Sequence, residues 1–136
     1  MLVVEAVALP LLARLALIFV SLPRLARRLG AFVPPTDTRA LQARDKSSQE
    51  QAQFAEDIGW AATRAARYVP FNAVCLPQAM AARFMPKRRG VASVLHFGAG
   101  KGEDKPLDAH ALLDAAGVEV TGYPIAKNFA DIGCFV

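Results

Sequence analysis

Apolar residues fill the first twenty positions almost without a break, Glu5 and Arg14 being the charged exceptions. This pattern predicts an apolar helical segment over residues 1–30, ended near Pro23 or Gly30 and covering the core of a small protein. None of the three apolar runs that Glu5 and Arg14 leave reaches the eighteen or so residues that a membrane span needs. The first charge is acidic and no small-residue cleavage site precedes Arg24, which argues against a secretion signal. Val33-Pro-Pro-Thr-Asp37 then forbids helix, and Thr36 or Asp37 is placed to cap the next element. The polar stretch from Thr38 to Glu50 reads as an exposed helix or a loop, so residues 33–50 form a linker. From Gln51 the period turns helical, with Phe54, Ile58, Ala61, Ala62 and Ala65 at spacings of three and four. Pro70 stops that helix.

A second helix is predicted over Cys75–Met85, where Leu76, Met80 and Phe84 share one face. Pro77 is tolerated in its first turn, and Pro86, Lys87, Arg88, Arg89 and Gly90 close it. Beyond it the pattern changes to strand. Val91–Phe97 is β-prone, Gly98–Pro106 reads as a glycine-rich loop, and Leu107–Asp114 with Val118–Tyr123 forms a hairpin about Ala116-Gly117. Phe129–Val136 adds a final strand. With no internal repeat and helices preceding strands, the expected fold is α+β: one domain over 1–136, its N-terminal helices packed on a small antiparallel sheet, with residues 51–136 as the core that carries chemistry.

Composition narrows the function classes. The net charge of +4 comes mainly from clusters at Arg24, Arg27 and Arg28 and at Lys87, Arg88 and Arg89. The first of these has only Leu and Ala between its basic residues, so it lacks the stacking aromatics of a nucleic-acid surface. Two cysteines are too few for a disulfide framework, which points to a reducing, cytoplasmic setting. The His and Cys spacings supply no metal site, and no cofactor is expected. Gly98-Ala-Gly-Lys-Gly102 is followed by Glu103 and Asp104 and by no helix, so it reads as a loop rather than a phosphate cradle. Cys134, between Gly133 and Phe135, reads as a small core residue. Gln78, one turn into the cysteine helix, reads as a surface residue with a conceivable role at an oxyanion.

Cys75 is the candidate with chemistry. At a helix N-terminus a thiol feels the positive end of the dipole and unpartnered backbone N–H groups, which favour thiolate and can hold a developing oxyanion. A thiolate of this kind works with a proton shuttle, and the chain has two histidines, His96 and His110, both on strands later in the chain. Strand alternation groups His110 with Asp108 and Leu112, outside a strictly apolar face. His96, between Leu95 and Phe97, is placed on the solvent or helix-packing face of its strand. Spacing alone leaves a buried structural cysteine with unrelated histidines as the default.

The words around these residues add more. Arg64-Ala-Ala-Arg-Tyr-Val-Pro-Phe-Asn-Ala-Val-Cys75-Leu, Arg88-Arg-Gly90, the strand ending His96-Phe-Gly98, Asp108-Ala-His110-Ala and the N-terminal Leu22-Pro-Arg-Leu-Ala-Arg-Arg-Leu-Gly30 together resemble the lasso peptide B protein family of transglutaminase-like cysteine peptidases. The likeness covers nearly the whole chain. It implies a papain/transglutaminase-like fold and a bacterial cysteine endopeptidase that removes the leader from a ribosomally made precursor. It also implies two partners: a separate PqqD-like leader-recognition protein, and an ATP-dependent, asparagine-synthetase-like cyclase. On the same basis Cys75 is the nucleophile and His110 the general base. Two features depart from the family pattern. Phe71 and Leu112 stand where the family has tryptophan, and no acid stands on the hairpin strand opposite His110, where Gly122, Tyr123 and Pro124 fall. Asp131 is the candidate third member if the tail folds back, and a backbone carbonyl is the other way to orient the ring. The alternative to an enzyme is a catalytically impaired leader-binding or scaffold protein of the same fold.

Overall fold

The computed structural model describes residues 2–19, 22–45, 48–67, 75–101, 108–122 and 129–136. The N-terminal segment forms two helices, α1 (Leu2–Phe19) and α2 (Leu22–Leu29). Among the described residues no helix is long and apolar enough to cross a membrane. The linker carries structure of its own, a two-residue strand β1 (Phe32–Val33) and a helix α3 (Thr38–Asp45). Asp37 caps α3, its carboxylate accepting from the Arg39 backbone N–H at 2.9 Å. Helix α4 (Gln49–Ala66) starts at a reciprocal cap in which the Ser48 side chain accepts from Gln51 N–H and the Gln51 side chain accepts from Ser48 N–H. Helix α5 (Cys75–Lys87) comes next. Pro70, the predicted stop of α4, lies outside the described residues.

Helix α5 is more deeply placed than its three-residue stripe predicts. Ala79, Met80, Ala81, Ala82, Arg83 and Met85 are all buried, while Phe84, expected on the stripe, is only partly covered. The helix lies between α1 and α4 on one side and the sheet on another, so nearly its whole circumference is packed.

The strands are β2 (Ser93–Gly100), β3 (Asp108–Ala115), β4 (Val118–Thr121) and β5 (Ala130–Phe135). All pairings are antiparallel, in the order β1-β5-β2-β3-β4. The final strand is therefore interior, because β1, which the polar linker gives no reason to expect, covers its outer edge. Strand β2 continues through Gly98–Gly100, where the glycine-rich composition predicts a loop; residues 102–107 lie outside the described ones. The β3–β4 hairpin turns at Ala116 and Gly117 as predicted, with φ of 51° and 76°, the two positive values that a two-residue turn of matching twist requires.

Alternation along β2 and β3 sorts the sheet into two faces. Leu95, Ala111, Leu113 and Ala115 join Ala79, Met80, Ala82 and Met85 of α5 and Ile58 of α4 in the main core. Val94 lies on the other face, in a smaller cluster with Val33, Ala40 and Cys134. Cys134 is fully buried there, in keeping with its reading as a small core residue.

One buried charge ties helices to sheet. Arg83, 3% exposed, donates through Nε to Leu29 O at 2.8 Å and through Nη1 to Ser93 O and to Ser93 Oγ. The end of α2, the middle of α5 and the start of β2 thus meet at one side chain. Lys87 Nζ also donates to the end of α2, at Arg28 O (2.8 Å), where a cation complements the helix dipole.

Candidate active site

The short turn after α5, closed by Val91 N–H donating to Pro86 O at 3.0 Å, sends β2 back along the helix. The Arg83–Ser93 contact fixes their relative position. From Arg83 back to Cys75 is roughly 12 Å of helix, eight residues at about 1.5 Å each. From Ser93 forward to Gly98 is about 17 Å of strand, five residues at roughly 3.3 Å. The N-terminal end of α5 and the Gly98 end of β2 therefore lie at the same end of the two layers. Gly98 pairs with His110 on one side and with Asp131 on the other. The backbone positions of Cys75, His110 and Asp131, far apart in sequence, thus fall at one end of the two layers, with Cys75 at the first position of α5.

His110, half-buried, has a defined orientation. Its Nε2 is 2.9 Å from Gly122 O. A carbonyl only accepts, so in the neutral ring Nε2 carries the hydrogen and Nδ1 is left with a lone pair. A backbone carbonyl, one of the two expected ways to orient the ring, is the one the fold uses. A bulge between Leu113 and Asp114 shifts β4 by one residue, pairing Leu113 with Thr121, and so brings Gly122 into position. The missing acid has a steric reason here. Gly122 has φ +85°, and a Cβ on it would lie 2.4 Å from Ala111 O and 2.8 Å from a Leu112 methyl carbon, so no side chain fits without moving backbone. Tyr123 and Pro124, the other positions named opposite His110, lie outside the described residues, as does Phe71.

Phe129 closes the other side of the imidazole, its ring edge-on to His110 with centroids 6.1 Å apart and planes at 78°. It sits where a side chain on residue 98 would be, since a Cβ on Gly98 would come within 2.3 Å of both the Phe129 ring and Ala130 O. A glycine inside a strand pattern signals such a close approach. The neighbouring Gly100 and Gly102 hide that signal, because together the three glycines read as a loop.

Asp131, the candidate third member, bonds the other histidine. His96 Nδ1 is 2.7 Å from Asp131 Oδ2, and His96 Nε2 is 3.3 Å from Asp114 Oδ2. His96 is 7% exposed, not on a solvent face, and it shares the sheet face of Val94. A carboxylate at each ring nitrogen favours the imidazolium form, in which both nitrogens donate. The Asp114 bond, aided by Asp131, raises the pKa of His96 despite the opposing effect of burial. A ring with both nitrogens protonated has no lone pair with which to take a proton from a thiol, so His96 is a clamp between β3 and β5, not a base. Because the folded chain holds this proton more tightly than the unfolded one, the stability it contributes is complete below about pH 6.5 and is lost as pH rises through the raised folded value. In urea denaturation, the stability difference between wild type and His96→Gln should accordingly be larger at pH 6 than at pH 9.

Gln78, expected at the surface, instead donates through Nε2 to Ala62 O at 3.3 Å and fastens the first turn of α5 to α4. Among the described residues no group of His, Cys, Asp and Glu side chains is arranged to hold a metal ion. A cavity of about 1060 Å³ lined by Ser48, Phe54, Asp57 and Arg89 lies near the start of α4 and the far end of α5, a helix length from Cys75. Compared with known proteins, the chain matches the family model described as the transglutaminase-like superfamily over residues 16–133. No curated protein and no solved structure matched.

Proposed function

The chain belongs to the transglutaminase-like superfamily, and from that premise we propose that it is a cysteine peptidase in which Cys75 is the nucleophile and His110 the base. The observation that carries this reading is the hydrogen bond from His110 Nε2 to Gly122 O, which leaves Nδ1 as the proton acceptor at the end of the sheet where α5 begins. His110 takes the proton of Cys75, and the thiolate attacks the scissile carbonyl. The free N–H groups at the start of α5 hold the oxyanion; the protonated imidazole then donates to the leaving amine, and water releases the acyl-enzyme. A neutral carbonyl stabilises the imidazolium less than a carboxylate would, so this is a dyad with an orienting group rather than a full triad.

The substrate in this reading is a ribosomally made lasso peptide precursor, cleaved between leader and core in the bacterial cytoplasm. A PqqD-like protein supplies leader recognition, and an asparagine-synthetase-like cyclase takes the product. Support comes from the sequence words around Cys75, Arg89, His110 and Gly30. The test is incubation of a precursor with the protein and the recognition protein, read by mass spectrometry. A leader and a core of complementary mass are expected, and an intact precursor would contradict the proposal.

A second reading, a leader-binding scaffold without catalysis, draws on one observation. His110 alternates with Ala111 and Leu113, the β3 residues packed on α5, so its side chain starts from the opposite sheet face. Under that reading the precursor binds with the same affinity but is never cut.

A further inference from the structure

At the opposite end of α5 from Cys75, a cavity of about 530 Å³ is lined by Arg39, Arg83, Lys87, Ser93 and Val136 together with neighbouring backbone, and none of its lining side chains is acidic. Arg39 is neutralised by Asp37 at 3.1 Å. The other two cations have no carboxylate partner among the described residues. Arg83 bonds three oxygens, Leu29 O, Ser93 O and Ser93 Oγ, all of them neutral. Lys87 bonds Arg28 O, also neutral. Val136 O is taken up by the Ala31 N–H at 3.2 Å. A guanidinium only 3% exposed with neutral partners alone is expensive, because the cost of removing it from water is not offset by an opposite charge.

One nitrogen of this guanidinium is open. Among the described residues Arg83 bonds through Nε and Nη1, and Nη2 makes no bond. Nη2 lies beside Gly30 and near Val136 O, at the wall of the cavity that Arg83 and Val136 both line. An arginine held rigidly by two of its nitrogens, presenting the third to a cavity beside an ammonium, is a prearranged donor set for an oxyanion.

We propose that this cavity binds a phosphate-class dianion, held by Arg83 Nη2 and Lys87 Nζ. Two cations with no acidic side chain beside them favour a ligand of more than one negative charge over a monocarboxylate. The volume exceeds that of a phosphate ion, so the group arrives free or as a small monoester. The site does not depend on the peptidase reading, since it shares no residue with Cys75 or His110 and uses no bond to either.

The test is titration of the full chain with inorganic phosphate and, separately, with phosphoserine, following the melting temperature against sodium chloride at matched ionic strength. Saturable stabilisation by phosphate beyond that of chloride is expected, with Lys87→Met needing about tenfold more ligand because one charge-assisted bond is lost. Lys87 is exposed, so this variant keeps the fold that an Arg83 replacement risks. Tighter binding of phosphoserine than of phosphate identifies the ligand as an ester, and the reverse identifies the free ion. Equal stabilisation by chloride, or an unchanged phosphate dependence in Lys87→Met, overturns the proposal.

Discussion

Cys75→Ala should abolish precursor cleavage, lowering the rate by on the order of 10³- to 10⁶-fold, the range seen when a covalent nucleophile is removed from a hydrolase. His110→Ala should fall in the same range, because without Nδ1 the thiol has no proton acceptor. The two losses should not add. Residues that act as one unit give a double variant no worse than either single one, so Cys75→Ala/His110→Ala is expected to retain the same residual rate as Cys75→Ala alone. Single-turnover assays with excess protein measure this without interference from product release. A His110→Ala variant that cleaves as wild type does would remove His110 from the chemistry, whereas a wild-type protein that binds the precursor without cutting it would leave the scaffold reading of the fold. Precursor binding should persist in all three variants, because none of these side chains is asked to supply ground-state affinity.

Gly98→Ala should give the second largest effect, through geometry alone. A methyl group there would lie 2.3 Å from both the Phe129 ring and Ala130 O, well inside contact distance, and a strand backbone cannot retreat as a flexible side chain can. Strand β5 must move away from β2 at that point, taking Phe129 from the edge of His110 and straining the nearby His96–Asp131 bond. The expected cost is about 1–3 kcal/mol of stability and a cleavage rate reduced by about 10²-fold from misplacement of the base. Gly90→Ala is the control. It has φ +67° but nothing within 4 Å of its Cβ, so it should cost only the strain of a left-handed residue, about 1–2 kcal/mol, and leave turnover of the folded protein unchanged. Urea denaturation and initial rates on the same preparations separate the two effects.

These expectations rest on features that are unevenly legible in the sequence. Helices α4 and α5 and the β3–β4 hairpin can be read because each is written locally: apolar spacing of three and four around Ile58, a Pro-Lys-Arg-Arg-Gly stop after Met85, and an Ala116-Gly117 turn between apolar strands. The position of Cys75 at the start of a helix comes from the same local rules. The parts that cannot be read are non-local. Strand β1 is two residues long and exists only because β5 offers it an edge. Arg83 looks like one more cation on a helix until Leu29 and Ser93, 54 and 10 residues away, bring carbonyls to it. Asp131 is within reach of His110 only if the tail folds back. The fold-back occurs, but the register beside Gly98 gives the carboxylate to His96. The carbonyl that orients His110 depends on a one-residue bulge in the β3–β4 pair, which no periodicity announces. Gly122 and Gly98 carry the available signal: each is a glycine beside a candidate strand, and each marks a place where backbone or ring comes too close for a Cβ.

His96 shows why the histidine nearer a carboxylate is not automatically the working one. Two carboxylates on one ring favour its charged form and hold it there, which suits a structural clamp. A single carbonyl at Nε2 leaves His110 with a lone pair on Nδ1. The difference lies in the donors and acceptors alone.

The central claim is that Cys75 is an activated thiolate supported by the start of α5 and by His110. Its most direct test is the rate of iodoacetamide labelling at Cys75 as a function of pH, quantified by peptide mass mapping so that Cys134 is scored separately. The account predicts a reactivity profile with a midpoint well below the ordinary thiol value of about 8.5, moving upward in His110→Ala. A midpoint at about 8.5 in wild type, unchanged by His110→Ala, would contradict it.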